Sequence, residues 1–324
     1  MHNKAPEYHL PVLGLAVSEN LITDPDGVYV DATLGGGGHA EIVLKNLGSQ
    51  GKLIGIDRDP DAIEAATKRL TIFKDQVHLV QSPFWHLRQV LVELGLENIT
   101  GILFDLGISS HQIDDAGRGF SFQQSGPLDM RMGPDAKCTA DDVVNGYSQE
   151  VLAQVIKTYG EDRAAFRIAR GICEARPLDD TSTLADVISR YARGPQKQKT
   201  LARVFQAIRI EVNDELTHLE DALQTAVDFL APGGRIGVLS YHSLEHRVVK
   251  QVFGIGTRDC IGPIELPICA CERLSMLTLP KKRTIRPDQA EILENPRARS
   301  ATLRIAQRLD VSAQPWLCRQ GTLS

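Results

Sequence analysis

Val28-Tyr29-Val30-Asp31-Ala32-Thr33-Leu34-Gly35-Gly36-Gly37-Gly38-His39 is the stretch on which the fold of this 324-residue chain turns. A short apolar run closes on a carboxylate, four glycines follow, and helix-like sequence runs from His39 to about Leu47. Glycines let a backbone approach a ligand without Cβ collision, and a helix start offers unpaired N–H donors. The loop matches a G-x-G-x-x-G spacing only in part, because Ala40 stands where the last glycine would be. By itself it suits a dinucleotide, a methyl donor or a phosphate, or merely makes a tight connection.

Working outward, the alternation repeats. Lys52-Leu53-Ile54-Gly55-Ile56-Asp57 reads as a second strand, Val77 to Val80 as a third and Gly101 to Asp105 as a fourth. Pro60 opens one intervening helix and Pro83 to about Leu94 forms another. Four strand-and-crossover units in about 80 residues predict an α/β fold with a mostly parallel sheet covered on both faces. The rhythm breaks over 106–127, rich in Gly, Ser and Asp, and a helical segment follows from about 139 to 200. It resumes with a helix from Val204 to Leu230, the turn Ala231-Pro232-Gly233-Gly234 and a strand from Arg235 to Ser240. Ser300 to Ala306 is a candidate last strand, and 253–299 resists assignment. The expected organisation is therefore a sheet domain of residues 1–109 and 201–324, interrupted by an inserted helical domain at 110–200. The insertion leaves the sheet at the carboxyl end of the fourth strand, the side on which open α/β sheets bind ligands.

The composition, 42% hydrophobic and 24% charged with a formal net charge of -5, is that of a globular protein and excludes a polycation that coats nucleic acid. No run of 18 apolar residues suggests a membrane span, and the N-terminal Met1 to Glu7 lacks a secretory apolar stretch, which points to the cytoplasm. Six cysteines include Cys260, Cys269, Cys271 and Cys318 in the last third, but one residue between Cys269 and Cys271 is poor zinc spacing. No metal is expected, and reduced thiols fit the same compartment.

Asp57 ends the second strand about twenty residues beyond the glycines, where a carboxylate can accept both hydroxyls of a ribose. The loop and Asp57 together indicate an adenosine-containing cofactor, and a nicotinamide-dependent dehydrogenase satisfies them as well as a methyltransferase does. Asp105 ends the fourth strand and is followed by Ser109 and Ser110, small polar groups that either serve the reaction or shape a turn.

Longer strings narrow the field. Ile56-Asp57-Arg58-Asp59-Pro60, Phe104-Asp105-Leu106-Gly107-Ile108-Ser109-Ser110-His111-Gln112, Arg118-Gly119-Phe120-Ser121-Phe122, Leu128-Asp129-Met130-Arg131-Met132, Phe205-Gln206-Ala207-Ile208-Arg209-Ile210 and His242-Ser243-Leu244-Glu245 occur in order between about residues 8 and 307. With them the chain resembles the bacterial S-adenosylmethionine-dependent methyltransferases that modify the exocyclic N4 of a cytidine in the decoding region of 16S ribosomal RNA. The resemblance implies a Rossmann-like class I methyltransferase sheet with a helical insertion that helps hold RNA. It further implies S-adenosylmethionine as cofactor, the small ribosomal subunit as partner, no membrane association, and leaves a homodimer open. On its pattern Gly37, Gly38 and His39 line the methionyl end, Asp57 takes the ribose, Phe84 flanks adenine, and Asp105 and Gln112 complete the pocket.

An acceptor against the amino hydrogens of cytosine would favour the pyramidal nitrogen that attacks a methyl group. Asp105 is the side chain best placed for that, a backbone carbonyl near Gly107 or Ser109 competes, and Ser109 and Ser110 could orient the base. Direct transfer needs no nucleophilic cysteine. Phe120, Phe122, Met130 and Met132 either pack around an unstacked base or form an apolar seam in the insertion. Basic residues exceed acidic ones ten to six over Lys157–Arg203 and eight to three over 281–308, so the RNA-binding candidates are Arg203, Arg209, His242, Lys281 and Lys282. His242 alternatively caps the next helix. The chain departs from the family at Gly36, across Lys199–Val204, where only Arg203 is retained, and at His246, which replaces an acid. Such changes bear on RNA contacts rather than on cofactor binding. The remaining alternatives are the dehydrogenase and a noncatalytic RNA-binding assembly protein.

Overall fold

A computed structural model describes residues 11–192, 196–261, 273–281, 283–314 and 316, with the side chains of Ser110 and His111 outside the description. Two compact units emerge. The first combines the described residues up to Gly107 with those from His218 onward; the second is Ile108–Thr217.

The first unit is built on a seven-stranded sheet: β1 (Val28–Asp31), β2 (Lys52–Asp57), β3 (Val77–Gln81), β4 (Ile99–Asp105), β5 (Leu230–Ser240), β6 (Leu277–Thr278) and β7 (Thr302–Arg308). Their order is β3-β2-β1-β4-β5-β7-β6. The first five run parallel to one another, whereas β7 is antiparallel to both β5 and β6. This is the mostly parallel class I methyltransferase sheet that the sequence led us to expect. Its helices are α1 (Gly14–Leu21), α2 (Gly38–Lys45), α3 (Pro60–Arg69) and α4 (Leu87–Glu93) on one stretch of chain, and α10 (Leu219–Phe229), α11 (Ser243–Gly256) and α12 (Gln289–Glu294) on the other. Central strands lack the polar alternation of a half-exposed sheet because both faces are covered; Ile102, Leu103 and Phe104 are all buried in β4. One core layer joins Val17 and Leu21 of α1, Val43 and Leu44 of α2 and Leu53, Leu103, Leu239, Leu303 and Ile305 from the sheet. The order reverses between β1 and β4, which makes the carboxyl ends of these strands the place for a ligand.

The second unit carries α5 (Ser110–Asp114), α6 (Gln149–Gly160), α7 (Ala165–Glu174), α8 (Thr181–Ser189) and α9 (Lys197–Asn213). Its core contains Phe120, Met130, Met132, Leu152, Ile156, Ile168, Ile172, Leu184, Phe205 and Ile208. Phe122 packs against this cluster, edge-on to Phe205 at 5.4 Å. The aromatic and methionine residues thus form the apolar seam rather than an open base cradle.

One sequence expectation changes here. The single helix expected over Val204–Leu230 is two helices, broken where Asp214 adopts a left-handed φ of 53°. α9 belongs to the second unit, so residues 108–109 and 201–217, expected in the sheet domain, fall in the second unit.

Candidate active site

The carboxyl ends of β1, β2, β4 and β5 carry Asp31, Asp57, Asp105 and Ser240. Between β1 and α2 the chain turns through Gly35 (φ 51°) and Gly37 (φ 77°), left-handed conformations that a side chain would strain. Gly37 is also the N-cap of α2, with no side chain capping the helix. The Gly35 N–H donates to Asp57 Oδ2 at 2.7 Å and the Asp59 N–H to Asp57 Oδ1 at 2.9 Å. Each carboxylate oxygen is thereby held by one backbone donor and keeps acceptor capacity for a second. A Cβ built on Gly35 would meet nothing within 4 Å, so the turn faces open space beside that carboxylate. Burial pushes Asp57 up to about 6, against the lowering effect of its two backbone donors.

Asp105 is held from three directions. Its N–H donates to Thr33 Oγ1 at 2.6 Å, its Oδ1 accepts from the Tyr241 hydroxyl at 2.7 Å, and its Oδ2 lies 3.4 Å from His39 Nε2. His39 is 6% exposed, and neither ring nitrogen has a hydrogen-bond partner, so the contact with Asp105 is electrostatic rather than a hydrogen bond. Asp31, 3% exposed, accepts from the Thr33 N–H at 3.3 Å and is pushed up to about 7 by burial, with His39 opposing. Burial acts to lower the His39 pKa, yet the neighbouring Asp105 and Asp31 carboxylates outweigh it and hold it above its ordinary value. Burial, reinforced by Asp105, raises the Tyr241 phenol well above its usual range. Asp105 and Asp31 therefore both act on one buried imidazole with orphaned nitrogens, close to the glycine turn that also holds Asp57.

That chemistry fits S-adenosylmethionine, which presents two positive charges and a ribose diol to a site of carboxylates. Asp57 would hold the ribose, with Asp105 and Asp31 on the cationic end. Phe84, at the first turn after β3, stands edge-on to Phe104 at 6.1 Å and to Trp85 at 5.1 Å, an apolar edge suited to a base. Gly37, Gly38, His39, Asp57, Phe84 and Asp105 all belong to the first unit. Tyr241, Thr33 and Asp31 were not singled out as site residues. Tyr241 directly precedes the His242-Ser243-Leu244-Glu245 string and follows a strand end, the one local signal that could have marked it.

Ser109 and Gln112 lie in the second unit and answer one another. The Gln112 N–H donates to Ser109 Oγ at 3.2 Å and the Ser109 N–H to Gln112 Oε1 at 3.1 Å, a reciprocal arrangement at the start of α5. Ser109 thus has the turn-forming role; the Ser110 side chain lies outside the described residues.

Among the RNA candidates, Arg209 needs correcting. It is 8% exposed, with Nε and Nη2 each 2.8 Å from the Glu215 carboxylate, so the bidentate edge of its guanidinium is used inside the protein. His242 is the N-cap of α11: its Nδ1 accepts from the Glu245 N–H at 3.4 Å, while Glu245 Oε2 accepts from the His242 N–H at 3.2 Å. The capping alternative is the one realised. Arg203 is 38% exposed and reaches Asp162 at 3.6 Å, Lys281 is exposed, and Lys282 lies outside the described residues.

Residues 7–309 match the model of a family described as the MraW methylase family. The chain is 44% identical over 309 residues to the ribosomal RNA small subunit methyltransferase H of Heliobacterium modesticaldum, covering 93% of this chain and 99% of that one. It is 46% identical over 306 residues to the protein of the same name from Carboxydothermus hydrogenoformans, covering 93% and 98%. The Geobacter sulfurreducens protein of that name is 46% identical over 307 residues, covering 93% and 99%. With the sheet order, the glycine turn and the two strand-end carboxylates all in place along nearly the whole length, this chain belongs to the MraW methylase family.

Proposed function

We infer that the protein transfers a methyl group from S-adenosylmethionine to the exocyclic N4 of a cytidine in 16S ribosomal RNA of the small ribosomal subunit. The observation that carries this reading is the placement of Asp57 and Asp105 at the ends of β2 and β4, the two strands that flank β1 and its Gly35–Gly38 turn, in a chain of this family. Bound S-adenosylmethionine supplies an electrophilic methyl group; everything else is binding and alignment by the protein. Asp57 orients the ribose, His39 and Asp105 fix the methionyl end, and the apolar Phe84 edge shelters adenine.

Asp105 is held as an acceptor by Tyr241 and is the side chain we assign to the amino hydrogens of the target base. A backbone carbonyl at Gly107 offers the same acceptor chemistry and is fixed by the left-handed φ of 123° there. The helical unit holds RNA, with Arg203 the candidate that remains accessible. Family membership removes the dehydrogenase reading. No helix among the described residues is long and apolar enough to cross a membrane, and the substrate is ribosomal RNA.

Purified protein, radiolabelled methyl donor and small subunits from cells lacking this activity provide the test. Wild type should label the RNA, and Asp105→Ala should reduce labelling by about a hundredfold or more, the scale of losing an oriented electrostatic group. A noncatalytic assembly protein would label nothing with either.

A further inference from the structure

On the α11 face of β7 lies a cluster that neither the cofactor pocket nor the RNA candidates above account for. His246, on the first turn of α11, has Nδ1 3.2 Å from Thr302 Oγ1 and 3.4 Å from Ser240 Oγ, and Nε2 3.1 Å from Arg304 Nη2. Arginine can only donate, so Nε2 must be the unprotonated acceptor and Nδ1 carries the hydrogen. His246 is therefore neutral, in keeping with the downward push on its pKa from burial and then from Arg304, Arg286 and Lys250.

The consequence falls on Arg304. Its charge meets only a neutral imidazole, and its Nε is buried with no hydrogen-bond partner. Burial alone shifts Arg304, and downward, with no carboxylate to offset it. Lys250 and Arg286 are exposed, and among the described residues no carboxylate pairs with either, or with Arg304. A half-buried guanidinium with an orphaned donor and no counter-charge is costly unless an anion completes it.

We propose that Arg304, Lys250 and Arg286, with His246 holding the guanidinium, form a binding site for a backbone phosphodiester of the RNA substrate. The Arg304 Nη1 amino group, which no described residue accepts from, can donate to a phosphate oxygen, and the two exposed cations add long-range attraction. Position supports the assignment. Ser240 Oγ contacts His246, while the next residue, Tyr241, holds Asp105, so the phosphate site and the cofactor's carboxylate share the end of β5. The proposal rests on the reading of this protein as an RNA methyltransferase, and the test separates the two.

Equilibrium binding of unmodified small subunits is measured across salt concentration for the full chain, for Lys250→Ala/Arg286→Ala and for His246→Asp, alongside methyl transfer by wild type. The double variant should bind about tenfold more weakly near 0.1 M salt, with the slope of log affinity against log salt shallower by about 1 to 2. His246→Asp should also weaken binding, because it hands Arg304 an internal counter-charge. Calorimetric affinity for S-adenosylmethionine should stay unchanged in both, which a disrupted fold would not allow. Affinities and slopes equal to wild type would overturn the site even if methyl transfer proceeds. Wild type that transfers no methyl yet shows these losses would overturn the function and leave the site standing. Inorganic phosphate is the second probe, followed by the His246 imidazole resonance. Tight saturation by phosphate with subunit binding unaffected by the variants would assign the site to free phosphate and refute the RNA contact.

Discussion

Tyr241 spends its one hydroxyl hydrogen on Asp105, the carboxylate that also faces His39. A hydrogen bond to a charged group is worth about 1.5–3 kcal/mol, so Tyr241→Phe should weaken S-adenosylmethionine binding by about tenfold or more by calorimetry. An unchanged affinity would mean that Asp105 is oriented without it. The buried acids of the pocket also make a pH signature. Asp31 rises from 3.8 to about 7 and Asp57 from 3.8 to about 6, and His39 is raised as well. Between about pH 4 and 7 the folded state thus holds more protons than the unfolded chain, so this pocket's contribution to the ligand-free protein's stability falls as pH rises through that window. Asp31→Asn removes the largest of these carboxylate shifts. Urea unfolding of wild type and variant at about pH 5 and pH 7.5 should show a smaller loss in the variant; equal losses would contradict the buried-acid assignment.

At the level of elements, α9 and α11 are each anchored by a polar arrangement at one end. Arg209 and Glu215, side chains 10% and 13% exposed, clamp the end of α9 across its break. Removing one member of a largely buried pair costs about 3–5 kcal/mol, so Arg209→Ala should lower stability by that order in denaturant unfolding, and a joint Arg209→Met/Glu215→Leu change should recover much of it. Recovery of nothing would mean that the pair does more than neutralise itself. These two helices also mark where the sequence was readable. β2 was found to the residue because Lys52–Asp57 is a compact apolar run ending on a carboxylate, and β4 was missed only at its start. The break after α9 was invisible: Asp214 takes a left-handed turn without glycine or proline, and apolar residues continue on both sides. The cap at His242 was legible as an alternative because Glu245 stands three residues on.

For the molecule as a whole, the sheet and the glycine turn were legible because strand periodicity and glycine chemistry are local, and the inserted unit was legible as an interruption of that rhythm. Its end was not, since the assignment of α9 depends on packing against α6 and the second core rather than on any local signal. The site followed the same division. Asp57 and Asp105 announce themselves as strand-end acids, whereas Tyr241 reaches Asp105 across 136 residues of sequence. Arg304 is half-buried without a counter-charge among the described residues, and that is a property of the fold. The central claim is that this pocket sets a methyl group against an exocyclic amine of ribosomal RNA. The measurement that tests it most directly is nucleoside mass spectrometry of 16S RNA from unmodified small subunits after incubation with the protein and isotopically labelled methyl donor. The account predicts label in N4-methylcytidine; label on a ring carbon, on a ribose hydroxyl or on another base would contradict it.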